Sequence, residues 1–236
     1  MKNAVWEIVP RLGDKSIVNS KWIYKIKYDT NCSTDKYKER LVARGFSQKE
    51  GIDYEEIFAP TAGYTTIRSL VSFVASMGWS IHQKDVKMTF LNGTIDEEVH
   101  IEQPQGFEIN QRENHVCRLK KVLYGLKQTP RAWYARMDSY LLRIQFFKSF
   151  VDSNLSVKVV ENEPIIIMLY LDDLLLTSVE NRIQECKKMM AAKFAMKDLN
   201  LKDLCIIIWA WKFGRNLDIY ILVKENILSR FYKSLV

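Results

Sequence analysis

The segment Ile165-Ile166-Ile167-Met168-Leu169-Tyr170-Leu171-Asp172-Asp173-Leu174-Leu175-Leu176 determines how the rest of the chain is interpreted. Two adjacent carboxylates interrupt a run as apolar as a buried sheet, which predicts a hairpin over 165–171 and 174–177 with both aspartates at its turn. Aspartate is common in turns, so an ordinary surface turn is the simplest interpretation. The absence of an accompanying glycine or asparagine, together with the apolar flanks, favours a functional reason for the pair.

A metal site is the function that these carboxylates suggest. Carboxylates held close together at the edge of an apolar sheet repel each other and lose hydration, and divalent cations relieve both costs. A third carboxylate, Asp85, lies 172 − 85 = 87 residues upstream on the predicted strand 79–86. Asp85 beside the hairpin aspartates would form a platform for two Mg²⁺ ions about 3.5–4 Å apart, with Mn²⁺ as the alternative ion.

The composition restricts the class of protein and its partners. A chain of 236 residues with 47% hydrophobic and 27% charged residues suits one large globular domain or two small ones and argues against disorder. The net charge of +7 and the pI of about 9.1 favour a polyanionic partner, either nucleic acid or an anionic membrane surface. Because the longest apolar runs, 165–171 and 204–211, are too short to span a bilayer and no signal peptide opens the chain, we expect nucleic acid rather than a membrane as the partner.

The cysteines give no sign of a zinc site or a disulfide framework, since none has CxxC spacing and no cysteine–histidine cluster occurs. Reduced thiols in an intracellular protein are the expected state. The four cysteines are Cys32, Cys117, Cys186 and Cys205.

A basic hairpin is predicted near the beginning of the chain. Residues 20–28 alternate basic and apolar types through much of their length, which indicates a strand with one solvated cationic face. Turn-forming residues follow at 29–33, and residues 37–46 predict a second strand that carries Lys38, Arg40 and Arg44. A solvated edge hairpin without a ligand is the alternative interpretation.

The remaining elements favour an α+β fold. Residues 65–77 predict a helix capped by Thr65 and ended by Gly78, Pro130 opens a long helix, and residues 183–194 predict an amphipathic helix. The order is hairpin, helix, strand, helix, hairpin, helix. Because no long parallel βαβ series occurs, an α+β class is favoured over a doubly wound sheet.

Several motifs resemble those of copia-type retrotransposon reverse transcriptases, from about Trp6 to about Leu199. Tyr170-Leu171-Asp172-Asp173 is similar to the family's Tyr-Val-Asp-Asp box, and residues 84–93 (KDVKMTFLNG) to its first catalytic motif. Residues 102–107 (EQPQGF) and 116–134 (VCRLKKVLYGLKQTPRAWY) resemble its next two signatures, and the predicted basic hairpin resembles its fingers region. Several long motifs in the family's order make a chance similarity implausible.

The resemblance implies a right-hand polymerase fold with an antiparallel palm sheet packed on helices. It places fingers at about 1–80 and 100–135, interleaved with palm at about 81–99 and 136–199. We expect residues 200–236 to be a degraded or truncated thumb-side region, with the thumb largely beyond the chain. In that region Asn200 replaces an expected glycine, and residues 204–211 lack the glycine of a Leu-Gly-Ile signature.

The resemblance also implies roles for individual residues. Asp85, Asp172 and Asp173 would be the catalytic metal ligands, with the backbone carbonyl of Val86 beside them. Phe90 would lie under the sugar of the incoming nucleotide and exclude a 2′-hydroxyl, although a core aromatic is the alternative.

Further binding roles come from the same resemblance. The cations Lys38, Arg40 and Arg44 would bind the triphosphate. Gly125 would pack on the template–nucleotide pair, unless it is an ordinary turn glycine. Cations interleaved with Tyr124, Trp133 and Tyr134 would form a groove for nucleic acid, and a solvated basic face over a core stripe is the alternative. These cations are Lys120, Lys121, Lys127 and Arg131. For Trp133 and Tyr134 themselves, core packing is the preferred interpretation.

The resulting hypothesis is an RNA-directed DNA polymerase domain of a Pol polyprotein. Its partners would be an RNA or DNA template with its primer, deoxynucleoside triphosphates and the remaining Pol domains, in a cytoplasmic particle or the nucleus. A catalytically decayed nucleic-acid-binding remnant is the alternative, favoured by the altered segment after Leu199 and by the missing partner domains. The sequence also departs from the family at Met88-Thr89, in place of Thr-Ala, and lacks a proline in 152–154. A metal-dependent nuclease is a third, weaker possibility.

Overall fold

The computed structural model describes residues 5–28, 33–109, 112 and 114–199. The predicted thumb-side region 200–236 lies outside the described residues, as does most of the predicted turn 29–33. The three helices of this part of the chain are α1 (Tyr64–Met77), α2 (Thr129–Arg143) and α3 (Glu180–Lys193). Its strands are β1 (Trp6–Pro10), β2 (Ile17–Val18), β3 (Ser20–Tyr28), β4 (Thr34–Ala43), β5 (Ser80–Val86), β6 (His100–Ile101), β7 (His115–Leu119), β8 (Phe147–Lys148), β9 (Leu155–Val160), β10 (Glu163–Tyr170), β11 (Asp173–Ser178) and β12 (Met196–Leu199).

The strands form three sheets, in the orders β1-β7-β6-β2, β12-β5-β11-β10-β9-β8 and β3-β4. Pairing is antiparallel throughout except between β2 and β6. The predicted α+β class is confirmed, because few helices accompany these largely antiparallel sheets. None of the three described helices is long and apolar enough to cross a membrane.

The described chain divides into two compact units. The first contains the residues up to Pro60 together with Met88–Tyr140, and the second contains Thr61–Lys87 together with the residues from Leu141 onward. The segment 61–80, expected in the fingers, belongs to the second unit because α1 packs on the sheet of that unit.

The second unit is a six-stranded sheet with helices on its faces. Ile67, Leu70 and Val74 of α1 pack against Ile166 and Met168 of β10 and against Leu175. On α3, Ile183, Cys186 and Met190 are buried, and the helix contacts β10 and β11. This burial on both faces explains why β10 and β11 are continuous apolar runs rather than alternating ones.

The helix α1 begins differently from the prediction. It starts at Tyr64 after Gly63, and no side chain caps it, so the expected cap at Thr65 was wrong. The backbone N–H of Gly63 instead donates to the carboxylate of Asp152 at 3.1 Å, and Asp152 is distant from Gly63 in the sequence. The predicted end is confirmed, since Gly78 adopts the left-handed conformation with φ of 66°.

The first unit has its own core between the β1-β7-β6-β2 sheet and the turn around 123–126. Its buried residues are Val5, Val18, Ala43, Val99, Ile101, Cys117, Leu119, Leu123 and Leu126. Two cysteines, Cys117 in this unit and Cys186 in the second, are free thiols, in agreement with the prediction for these two. Burial raises the pKa of the Cys117 thiol to about 11 and that of Cys186 to about 12, so both stay protonated near neutral pH.

Candidate active site

The strand pairing brings two of the three predicted carboxylates side by side. Asp173 on β11 lies directly opposite Asp85 on β5, its partner in the antiparallel ladder. Asp172 precedes Asp173 in the two-residue turn between β10 and β11, and its carbonyl oxygen accepts a hydrogen bond of 3.0 Å from the Val86 N–H. Leu171 occupies the other turn position with φ of 50°, so the turn lies one residue earlier than the predicted Asp172-Asp173.

The electrostatics of this edge reflect crowded negative charge. Burial raises the pKa of the Asp173 carboxyl above its usual value, the neighbouring Gln83 amide acts in the opposite direction, and the charges of Asp85 and Asp172 raise the pKa further. Lys84 does not neutralise this edge, because alternation along β5 places it on the other face, where it is buried and pairs with Asp198 at 2.9 Å. The charges of Asp85 and Asp172 thus act together with burial against ionisation of the Asp173 carboxyl.

This carboxylate set fits a hard divalent cation by its donor chemistry. Mg²⁺ takes oxygen ligands, and a cation would offset both the burial and the mutual repulsion of the carboxylates. Among the described residues, no group of three His, Cys, Asp or Glu side chains converges closely enough to hold a metal ion. The backbone thus places Asp85, Asp172 and Asp173 in adjoining positions, and the side chains would have to turn toward a common point to coordinate a metal.

Gln83 is a neighbour of the carboxylates that the sequence interpretation missed. It lies two residues before Asp85 on β5, so both side chains project from the same face of the sheet. A polar residue that shares a face with a candidate ligand in an alternating strand is the signal that could have identified it.

The predicted basic hairpin is confirmed as β3 paired with β4. Directly opposed residues include Lys25 with Lys38 and Lys27 with Lys36, and Ile23 faces Arg40. Because opposed residues share a face, one side of the ribbon is cationic. That face carries Lys21, Lys25, Lys27, Lys36, Lys38 and Arg40. Like charges directly opposite each other are destabilising, which indicates that an anionic ligand would stabilise this face.

The three cations predicted to bind a triphosphate have different positions. Lys38 and Arg40 lie on β4, whereas Arg44 follows its end, since β4 stops at Ala43 and a short 3-10 helix starts at Gly45. Arg40 stacks its guanidinium over the Tyr124 ring, 4.9 Å from the centroid. The same ring packs edge-on against Phe90 with centroids 4.9 Å apart, so Tyr124 connects Arg40 to Phe90 within the first unit.

Glycine at position 125 is required by close backbone contacts as well as by the turn. Its φ is +92°, and a Cβ there would lie 2.2 Å from the carbonyl oxygen of Ala43. A Cβ on Gly45 would in turn lie 2.0 Å from the carbonyl oxygen of Gly125. The Ala43 N–H also donates to the Tyr124 carbonyl oxygen at 2.7 Å, so backbone contacts fix the end of β4 against the turn that carries Tyr124.

The four cations predicted to bind nucleic acid differ in their exposure and in the contacts that they make within the protein. Lys120 pairs with Glu7 at 2.6 Å. Lys127 donates to the Tyr54 hydroxyl at 3.1 Å and lies over its ring, so its ammonium is engaged inside the first unit. Lys121 is half-buried and Arg131 is exposed. Of these four cations, Arg131 is therefore the best placed to contact an external phosphate.

The aromatic residues on α2 agree with the core interpretation. Trp133 is 2% exposed, so its ring is not available to stack a base, and Tyr134 is half-buried.

Comparison with known proteins gives consistent results over most of the chain. The family described as reverse transcriptase (RNA-dependent DNA polymerase) matches residues 3–233. The chain is 41% identical over 200 residues to the retrovirus-related Pol polyprotein from transposon TNT 1-94 of Nicotiana tabacum, an alignment that covers 84% of this chain and 15% of the relative. It is 38% identical over 198 residues to the corresponding polyprotein from transposon RE1 of Arabidopsis thaliana, covering 83% of this chain and 14% of the relative.

Proposed function

From the premise that the chain belongs to the reverse transcriptase (RNA-dependent DNA polymerase) family, we propose that it carries out RNA- or DNA-templated DNA synthesis by two-metal nucleotidyl transfer. The observation that carries this proposal is the register that sets Asp173 opposite Asp85, with Asp172 in the adjoining turn. The similarity to copia-type polyproteins predicted from the motifs is confirmed by the two plant relatives.

The carboxylates have distinct tasks in this proposal. Asp85 and Asp173 supply ligand oxygens from neighbouring strands, Asp172 supplies them from the turn, and the Val86 carbonyl is a further candidate ligand. Two Mg²⁺ ions bound there would lower the pKa of an attacking 3′-hydroxyl and stabilise the leaving oxygen of the triphosphate. The ladder between β5 and β11 fixes the backbone positions of the two opposed aspartates, so that only their side chains would have to reorient to bind metal.

The second unit supports the finer expectation of a right-hand polymerase. Its antiparallel sheet with helices on its faces is the arrangement expected of a palm, and its carboxylates lie at the β10–β11 turn. The chain spans about one seventh of the length of the relatives named above, and both are named as Pol polyproteins. We therefore propose that this polymerase acts together with other domains of such a polyprotein.

The first unit supports nucleotide and nucleic-acid recognition. The cationic face of the β3–β4 hairpin offers phosphate contacts, and Phe90, braced by Tyr124, is proposed to contact the sugar of a deoxynucleotide. Arg40 is the proposed triphosphate ligand among the three predicted cations, since its guanidinium is already oriented by the Tyr124 ring.

Primer extension tests the proposed function directly. The 236-residue chain is incubated with a labelled primer on an RNA or a DNA template, deoxynucleotides and Mg²⁺ or Mn²⁺. Template-dependent extension that stops when the metal is chelated supports the proposal. Binding without extension under all of these conditions supports the alternative of a decayed nucleic-acid-binding remnant, and cleavage of the primer supports a nuclease.

Replacing Phe90 with alanine is expected to raise ribonucleotide incorporation relative to deoxynucleotide incorporation by about 10–100-fold, because a removed ring no longer excludes the 2′-hydroxyl. The measurement is the ratio of kcat/KM for the two nucleotides. Phe107→Ala, which removes an exposed aromatic of the same unit, is the control and should not change this ratio. An unchanged ratio in Phe90→Ala would leave Phe90 as a packing residue for Tyr124.

Reversing one charge on the hairpin separates folding from binding. Lys25→Glu replaces a repulsive cross-strand pair with Lys38 by an attractive one, so the melting temperature should not fall. Affinity for a template–primer duplex should fall, and the slope of log K against log salt should become shallower by about 1, because one phosphate contact is lost.

The matched control for this experiment is Lys188→Glu, an exposed position on α3 with the same change in net charge. If both variants weaken binding equally, the effect reflects overall charge and the hairpin has no special role.

A further inference from the structure

Gln83 carries a polar side chain that is almost completely buried. It is 2% exposed, and it shares a face of β5 with Ile81, which packs on the α1 core. Both polar atoms of its side chain, Nε2 and Oε1, are buried without a hydrogen-bond partner of normal geometry. A buried amide without a well-formed hydrogen bond costs stability, so packing alone does not account for an amide at this position.

The strand register directs this amide toward the carboxylates. Gln83 lies opposite Leu175, which makes Asp173 its diagonal neighbour two residues along β11. Long side chains reach diagonal neighbours on the same face of an antiparallel pair. Consistent with this position, the Gln83 amide acts to lower the pKa of the Asp173 carboxyl, against the effect of burial.

We propose that Gln83 is a positioning residue, whose side-chain N–H donates to one oxygen of the Asp173 carboxylate and leaves the other oxygen oriented toward a bound metal ion. The inference rests on the proposed function, in which Asp173 is a metal ligand. A carboxylate that turns to coordinate Mg²⁺ needs a fixed partner to hold its orientation, and hydrogen-bond partners of metal-ligating carboxylates have this effect on affinity. Pairing with Asp173 would also remove the cost of the unpaired amide.

The test uses Gln83→Met, which keeps the length and volume of the side chain and removes its polar atoms. Two readouts are measured on the 236-residue chain: the melting temperature without metal, and the dissociation constant for Mn²⁺ alone, without nucleotide or nucleic acid. We expect an equal or higher melting temperature together with Mn²⁺ binding about 10-fold weaker or more. Gln83→Asn, which keeps an amide but shortens its reach, should also weaken Mn²⁺ binding.

Two controls make the outcomes distinguishable. Thr177 is a second buried polar residue on the same face of the sheet, located on β11, and its hydroxyl donates to the Ser80 carbonyl oxygen. Thr177→Val should lower the melting temperature without changing Mn²⁺ affinity. Asp173→Asn should weaken Mn²⁺ binding.

Weaker binding in Asp173→Asn but unchanged binding in both Gln83 variants overturns the role of Gln83 alone. Unchanged binding in all of these variants overturns the proposed metal site and this inference with it. If Thr177→Val weakens Mn²⁺ binding as much as Gln83→Met, the effect follows stability and the positioning role is rejected.

Discussion

Asp172→Asn is expected to slow primer extension by about 10³-fold or more while the protein remains folded. A metal ligand supplies several kcal/mol of transition-state stabilisation, and about 4 kcal/mol corresponds to about 10³-fold in rate. Asp85→Asn and Asp173→Asn should have losses of similar size, since each removes one charge from the same edge of the sheet. The measurement is single-turnover extension of a labelled primer at saturating Mg²⁺.

Stability should change in the opposite direction from activity in Asp173→Asn. Burial and neighbouring negative charges already disfavour the ionised form of Asp173, so its neutral amide should fold at least as well near neutral pH. Asp96→Asn, an exposed aspartate outside the carboxylate edge, is the control for the loss of a charge and should retain the unmodified rate. Extension at the unmodified rate by folded Asp172→Asn would disprove the metal-ligand assignment.

Gly125→Ala is expected to lower the free energy of unfolding by about 2–6 kcal/mol. The substitution combines a side chain at positive φ, which costs about 1–3 kcal/mol, with a steric overlap against the Ala43 backbone of similar cost. The melting temperature should fall by about 5–20 °C, measured by circular dichroism.

Two other glycines separate the contributions to this loss. Gly51 has φ of +75° with nothing within 4 Å of the added Cβ, so Gly51→Ala should show only the backbone strain, at about 1 kcal/mol. Gly45 meets the Gly125 carbonyl oxygen at 2.0 Å without a positive φ, so Gly45→Ala should show only the overlap. A melting temperature of Gly125→Ala equal to that of Gly51→Ala would show that the turn moves away from Ala43 at no cost.

The local elements were largely predictable because their signals are local. Alternation of basic and apolar residues gave β3 and its cationic face, and Gly78 gave the end of α1. The start of α1 was not predictable, because the group that accepts a hydrogen bond from the Gly63 N–H is Asp152, which is distant in the sequence. The turn between β10 and β11 was misplaced by one residue, because a leucine at positive φ has no signature in the sequence.

The candidate site was also predictable from the sequence only in part. Residue types and motif order were enough to select Asp85, Asp172 and Asp173, because a strand and an acidic hairpin are recognisable one at a time. They did not specify which strand would pair with β11 or in which register, and that pairing sets Asp85 opposite Asp173 and Gln83 diagonal to it. The contact of Lys127 with Tyr54 was equally hidden, since a lysine among aromatics looks the same whether its ammonium faces solvent or a neighbouring ring.

The sequence by itself therefore determined the family, the α+β class and the identity of the carboxylates. The tertiary structure decided the neighbours of each side chain: Gln83 beside Asp173, Tyr124 between Arg40 and Phe90, and the Gly125 backbone against Ala43. The physical reason is that periodicity fixes the face on which a side chain lies, through the backbone geometry of its own strand or helix. The group that it meets on that face is fixed by long-range packing and strand register, which depend on the whole chain.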